Sequence, residues 1–473
     1  MRRLGMKDQG DGLLAGSSRR DFLQTLGAGL PGLALLGPGG AVQAGGRGIP
    51  ERLPENGGRR VQFGINSFLG NLGRSELRGP VLKTTPADRT NYLDAVRALG
   101  VHSIRETFMD WSDIEPVRGG GYLLDAFDDI ATKASSRGIE IEALCYPFPD
   151  WATGHPAASA DKKFVFMGDL PKRNYEGDFR RFIRKMVSRY GTGPGSLGLK
   201  TPTRHWIFFN EPDICYFNAH DYAWWLKVFY EEVKSADPAA RVIAPALASP
   251  GVELAGDTRI NATFLDQVLA AGELQGPHYP YFDVLDFHNY PQGYGTRPNV
   301  YALNAAYGYV TKALHRHHLN LPIWLDETGD NSKDFNLQAE RVVKYLAHAA
   351  SLGFERINLH GLWDFYPPEF WGVLENTPSG EVPVRKPSFF AFQALVSKIG
   401  KNRGVEFLGP GRYKALRPSA EPVYVLWSEG ANTQTPCFLK GRLRVTNVKN
   451  QQAEMDAANL KLSESPIFVE RLP

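Results

Sequence analysis

Cysteine is scarce in this chain. Cys145, Cys215 and Cys437 are three in 473 residues, too few and too odd a number for a disulfide framework. Cys145 and Cys215 fall at the ends of neighbouring predicted strands, and two buried free thiols are expected there rather than a bridge. An excess of charge of one sign is lacking as well. The formal net charge is +3, and the first 44 residues hold five basic and three acidic side chains, which leaves +1 for the remainder. Nucleic acid as main partner would require a strong basic excess, so none is expected. Long apolar runs are missing too. The stretch from Leu26 to Leu36 is short and rich in glycine, whereas a membrane-spanning helix needs about 20 apolar residues. No Gly-rich loop with Walker spacing and no nicotinamide fingerprint after a strand is present. No cofactor is implied.

Two features of the composition are positive. Aromatic residues make up 12% of the chain, and many fall in predicted loops, where flat faces suit sugar rings. At the N-terminus, Ser18-Arg19-Arg20-Asp21-Phe22-Leu23 precedes the weakly apolar run, and Val42-Gln43-Ala44 offers small residues for cleavage. Residues 1–44 resemble a bacterial twin-arginine export signal. The expectation is a mature chain starting near Gly45, periplasmic or secreted, with no integral membrane segment after removal of the signal. No cysteine stands near the cleavage point, which argues against a lipid anchor.

From residue 61 to 400 one cadence repeats: short apolar strand, polar loop, amphipathic helix. Strands are predicted at Val61–Ser67, Ser103–Thr107, Glu140–Tyr146, His205–Asn210, Val242–Ala246, Val284–Tyr290, Ile323–Glu327 and Ile357–Trp363. Helices between them end on stop signals such as Leu99-Gly100, Arg137-Gly138 and Leu352-Gly353. Such alternation means βαβ units and a parallel sheet, and eight units close into a (β/α)8 TIM barrel. Past Lys401 the texture changes to short alternating segments with no helical period. Residues 401–473 therefore read as a small antiparallel β-domain of sandwich type, packed on the barrel because it would be marginal alone. Residues 45–60 form an N-terminal extension that lends it a strand.

Two of the eight strands end in glutamate. Trp206-Ile-Phe-Phe-Asn-Glu-Pro-Asp-Ile214 is an apolar run that stops at Asn210-Glu211-Pro212. Pro322-Ile-Trp-Leu-Asp-Glu-Thr-Gly329 stops at Glu327. A carboxylate at the C-terminal tip of a barrel strand stands where such barrels put their chemistry. Strands four and seven lie on opposite sides of the mouth, so the two carboxyls can face each other across a bound sugar. Glycosidic cleavage by double displacement needs two carboxyls about 5–5.5 Å apart. A charge serving only a helix N-terminus would explain one such glutamate better than two.

These residues resemble the retaining glycoside hydrolases of clan A, with Asn210-Glu211-Pro212 on strand four and Glu327 on strand seven. The layout is most similar to family 39, although that family has Trp where this chain has Phe209. The resemblance implies Glu211 as acid/base and Glu327 as nucleophile, acting on an oligo- or polysaccharide. It implies that Arg105 on strand two holds Glu327 ionised, and that Asn210 donates to a sugar hydroxyl. His288 and Tyr290, from the strand-six end His288-Asn289-Tyr290, are implied beside Glu211 and Glu327. Trp363 at the end of strand eight is implied as the floor under the reacting sugar. Farther out, Trp111, Trp151, Tyr216, Phe365, Tyr366 and Trp371 are candidate platforms for further sugar units. Asp326 directly precedes Glu327, so strand alternation should aim it away from the barrel interior. Asp110, Asp150, Asp213 and Asp364 remain open as ligands of sugar hydroxyls. A metal centre is not expected: strand one reads Phe63-Gly-Ile-Asn-Ser67, without the His-x-His pair of metal-dependent barrels. A non-catalytic polysaccharide-binding or assembly factor and a transglycosylase are the alternatives.

Overall fold

Eight parallel strands form the frame of the molecule. They are β1 (Gln62–Asn66), β2 (Ser103–Glu106), β3 (Glu140–Cys145), β4 (His205–Phe208), β5 (Arg241–Ile243), β6 (Leu285–His288), β7 (Ile323–Thr328) and β8 (Arg356–Leu359). The computed structural model describes residues 60–70, 84–154, 169–215, 218–248, 250–251, 261–291, 299–364, 369–418, 420–430 and 435–473. The predicted export signal, and all but the last residue of the N-terminal extension, lie outside these residues. The sheet runs in the order β5-β4-β3-β2-β1-β8-β7-β6. Parallel bridges Ile243↔Val284 and Leu247↔Phe287 join β5 to β6 and close the barrel. None of the described helices is long and apolar enough to cross a membrane.

Local signals place the helices. Helix Pro86–Leu99 begins on a capping box in which Thr85 and Asp88 each satisfy the other's backbone N–H. It ends at Gly100, whose φ of 80° a residue with a side chain rarely adopts. Helices Glu176–Tyr190 and Phe335–Ser351 bury Phe179, Phe182, Ile183, Val342, Val343 and Leu346 against the strands. The barrel lumen divides by chemistry. One patch is apolar, made by Leu144, Ile207, Ile243, Val284 and Trp324. Against it, with the Arg356 guanidinium 4.3 Å from the centre of the Trp324 ring, Arg356 and Asn358 of β8 each donate to Glu142 of β3 at 2.6 Å. This buried polar belt lies beneath the mouth.

Among the described residues, the C-terminal region is one antiparallel sheet of six strands, not two stacked sheets. Its strands are β9 (Val405–Gly409), β10 (Arg412–Arg417), β11 (Ala420–Leu426), β12 (Arg442–Asn447), β13 (Gln452–Asp456) and β14 (Ile467–Arg471), in the order β13-β12-β14-β11-β10-β9. The sandwich expectation fails because the barrel itself covers one face: Val405, Tyr413, Val423, Val425 and Phe468 belong to the barrel's core. The other face is filled by Leu439, Leu460 and Leu462 from connecting segments, packed on Tyr424, Leu426 and Leu443.

Candidate active site

Strand β4 leaves extended geometry abruptly. Phe209 and Glu211 have φ of 66° and 52°, a left-handed conformation that costs a non-glycine residue on the order of 1–3 kcal/mol and persists only where its surroundings enforce it. Here Phe209 N donates to Cys145 O at 3.3 Å and Glu211 N donates to Ala246 O at 3.0 Å. Pro212 follows directly. The kink brings Asn210 and Glu211, both buried, into the mouth of the barrel.

Strand β7 carries a bulge. Phe287 of β6 pairs with Leu325, yet His288 pairs with Glu327, so Asp326 is the extra residue. A bulge breaks the two-residue alternation. Asp326 therefore does not point away from the interior, as plain alternation predicted. Its Oδ2 lies 2.5 Å from Arg105 Nε as an ion pair, and its Oδ1 accepts from Asn358 at 3.0 Å. Glu327, the next residue, also faces the lumen.

Arg105 of β2 joins these elements. Its Nη1 donates to Glu327 Oε1 at 2.6 Å and its Nη2 to Asn210 Oδ1 at 2.7 Å. Burial works against the guanidinium charge, and the charges of Asp326 and Glu327 more than offset it, so the pKa of Arg105 is raised. Tyr290 donates to Glu327 Oε2 at 2.5 Å. His288 Nδ1 lies 2.9 Å from Glu211 Oε1 and 3.5 Å from Glu327 Oε2. Burial alone would lower the pKa of His288. The charge of Glu327, with the hydrogen bond and charge of Glu211, outweighs it and raises the pKa. Asp286, two residues back on β6, accepts from Ala246 N at 2.6 Å. Burial first, and then the charge of Asp326, pushes its carboxyl well above the usual range. One ligand atom each of Glu211, His288 and Glu327 lie within 4.8 Å of one another. That spacing admits a metal ion, but the permanent charge of Arg105 on Glu327 opposes a second cation there.

The structure thus brings together Arg105, Asn210, Glu211, His288, Tyr290 and Glu327. It turns three of the four predicted tryptophans elsewhere. Trp111 is fully buried, stacked on Phe182 at 5.3 Å with its Nε1 donating to Glu115; it is a core residue, not a platform. Trp151 meets Trp111 edge-on and donates to the Glu115 carbonyl. Trp363 donates to Ser67 O at 2.8 Å and stacks on Tyr92, so it is not placed as a floor. Of the other aromatic candidates, Trp371 lies edge-on to Tyr290 at 4.9 Å; Tyr216, Phe365 and Tyr366 lie outside the described residues. Asp213 accepts from Ala248 N and Asp364 from Lys386. Cys145 and Cys215 are buried free thiols.

Sequence reading missed His360 and Asn66. Strand β8 ends at Leu359 rather than running on to Trp363, so His360 stands at its tip. Its Nδ1 is 3.6 Å from Glu327 Oε2 and 3.3 Å from Asn66 Nδ2. An apolar run extending to Trp363 masked this histidine; the Asn66 position at the end of β1 was the available signal.

The fold defines a class: a (β/α)8 barrel with a C-terminal antiparallel β-sheet, an architecture that solved glycoside hydrolases share. A family 39 glycoside hydrolase from the gut symbiont Bacteroides cellulosilyticus WH2 superposes with a TM-score of 0.61 at 17% identity, covering 88% of this chain and 81% of that one. A monomeric β-xylosidase from Caulobacter crescentus CB15 gives 0.58 at 15% identity, over 87% and 96%. A family 30 subfamily 8 xylanase from Clostridium acetobutylicum gives 0.54 at 15% identity, over 87% and 97%. At such identities the likeness is one of fold. No protein-family model and no curated protein sequence matches the chain.

Proposed function

We propose that this chain is a retaining glycoside hydrolase that cleaves O-glycosidic bonds of an oligo- or polysaccharide by double displacement. One observation carries the reading: a carboxylate oxygen of Glu211 and one of Glu327 lie within 4.8 Å of each other across His288. Retaining enzymes hold their carboxyls about 5–5.5 Å apart, whereas inverting ones leave about 6.5–9.5 Å for a water. Glu327 is the nucleophile. Arg105 and Tyr290 each donate to it, which favours the anion and fixes which lone pairs face the sugar. Glu211 first protonates the leaving oxygen, then takes the proton of the attacking water. Arg105 occupies Asn210 Oδ1, which leaves the amide nitrogen to donate to a sugar hydroxyl. The fold relatives include a β-xylosidase and a xylanase, and pentose glycosides are the first substrates to try. The chain acts in the periplasm or outside the cell, delivered by its twin-arginine segment.

The test is Glu211→Ala on glycosides of graded leaving group. General acid–base help is worth about 10²–10⁴-fold. The loss on natural glycosides should reach that size, while 2,4-dinitrophenyl glycosides should still form a glycosyl-enzyme visible by mass spectrometry. Equal loss on every leaving group with no trapped intermediate would make Glu211 structural. A wild-type protein that binds polysaccharide and cleaves none would make the chain a binding factor. Product dominated by transfer to added acceptor sugar would make it a transglycosylase.

A further inference from the structure

Behind strand β8 lies a buried charge pair that the proposed chemistry does not use. The Lys386 ammonium is fully buried where helix Pro387–Ile399 begins. It stands 2.8 and 2.6 Å from the two carboxylate oxygens of Asp364 and donates to Phe370 O at 3.3 Å. Asp364 Oδ1 also accepts from Gly372 N at 2.8 Å. These bonds lay the segment 371–374 alongside the end of β8. Gly361 N donates to Trp371 O at 3.2 Å, Val373 N to Gly361 O at 3.1 Å, and Lys386 N to Val373 O at 3.0 Å. The approach is close: a Cβ on Gly372 would collide with the Trp363 backbone, and one on Gly329 with the His360 carbonyl. Trp371 is thereby held edge-on to both Tyr290, at 4.9 Å, and His360, at 5.6 Å. Tyr290 in turn donates to Glu327.

We propose that the Lys386–Asp364 pair is a latch that sets Trp371 against Tyr290 and His360, making Lys386 and Asp364 positioning residues for Glu327. Stability alone does not account for the pair. Removing two charges from water offsets most of their mutual attraction, and an apolar pair of similar volume often holds a core as well or better. Burial pushes the Asp364 carboxyl up and the Lys386 ammonium down in spite of the opposing charge of each partner. An apolar pair lacks an acceptor for the Gly372 N–H, a bond that acts on Trp371 together with those from Gly361 N to Trp371 O and from Trp371 Nε1 to Glu369 Oε2. Stability and activity should therefore come apart. The activity half of this inference rests on the hydrolase reading; the spectroscopic half does not.

The experiment compares the wild-type full chain with Asp364→Leu/Lys386→Met, Asp364→Asn and Trp371→Phe. The near-UV circular dichroism difference between wild type and Trp371→Phe defines the signature of the packed Trp371. The double variant should unfold cooperatively at or above the wild-type midpoint, yet lose that signature. Its kcat/KM on 2,4-dinitrophenyl glycosides should fall about 10²-fold, the usual scale for a shift of about 1 Å in reacting groups, with the loss in kcat rather than KM. Asp364→Asn retains an acceptor for Gly372 and should keep most of the signature. A full signature in the double variant overturns the latch, and a lost signature with unchanged kcat overturns the positioning role. A double variant that fails to fold overturns the claim that the charges are dispensable for stability, and Asp364→Asn then decides the positional claim. A wild-type chain that turns over no glycoside refutes the hydrolase reading, while the signature still decides the latch.

Discussion

Arg105 is the residue on which the mouth of the barrel depends. One guanidinium meets Asp326, Glu327 and Asn210 at once, a reach that requires its planar fork. Arg105→Lys offers a single ammonium in its place and should lower kcat by about 10²-fold, since a small misplacement of reacting groups costs that much. It should also lower the midpoint of urea unfolding, because buried carboxylates lose their partner. Unchanged kinetics in a folded Arg105→Lys protein would refute this assignment. Glu327→Ala is the complementary prediction. Turnover should vanish, and added azide should restore part of it with inverted product, because the missing carboxylate leaves room for a small anion on that face. Proton NMR of the first-formed anomer reads the outcome; a wild-type rate without azide would remove the nucleophile. The placement of Glu211 and Glu327 at the barrel mouth was legible in sequence because each ends an apolar run. His360 and Asp326 were not, because their placement follows from where β8 stops and from the β7 bulge.

At the scale of elements, the structure departs from sequence expectation where period and polarity mislead. Strand β13, Gln452–Asp456, is almost wholly exposed at the sheet edge. Only Ala453 and Met455 alternate there with polar residues, too short and too polar a pattern to betray it; its pairing with β12 defines it. Cys437–Leu439 and Leu460–Leu462 look like strands but pack as connecting segments, since their leucines cover the outer face of the sheet. Helix Phe335–Ser351 joins barrel to sheet through His348, which is buried, with its Nδ1 3.1 Å from Tyr413 OH and its Nε2 2.8 Å from Asn304 Oδ1. Burial lowers the His348 pKa to about 3. The unfolded chain takes up this proton near pH 6.5, whereas the folded one resists it until about pH 3. Between those values the unfolded state binds more protons, so stability falls as pH falls. His348→Gln should flatten that acid loss, by on the order of a few kcal/mol at most. Urea midpoints at pH 7 and pH 4.5 for both proteins give the comparison. An identical pH dependence in wild type and variant would clear His348 of the effect.

Across the whole molecule, the β-domain and barrel share one core. Tyr413 stacks on Trp427 at 5.2 Å, and Tyr301 meets both His348 and Phe407 edge-on. The sheet thus needs no second sheet of its own. Export is the prediction that belongs to this scale. Replacing Arg19 and Arg20 by lysine should leave unprocessed chain in the cytoplasm, because a twin-arginine receptor reads that pair before the apolar run. Fractionation with N-terminal sequencing of the mature chain checks it. Processing near Gly45 in the double-lysine variant would refute the signal.

What the sequence determined by itself is what depends on local pattern. Strand–helix alternation specified eight βα units and hence a barrel, and carboxylates closing the apolar runs of β4 and β7 marked the two glutamates. Arg105, Asn210, His288 and Tyr290 were expected beside them from the resemblance; tertiary structure alone decided the further neighbours. The bulge let Asp326 and Glu327 face inward together, the early end of β8 put His360 at the mouth and Trp363 on Tyr92, and the Lys386–Asp364 pair drew Trp371 from 44 residues along the chain toward Glu327. Register shifts and long-range ion pairs leave no periodic trace in a sequence. They are set by the balance of desolvation, hydrogen bonding and packing among strands that meet only once the barrel has closed.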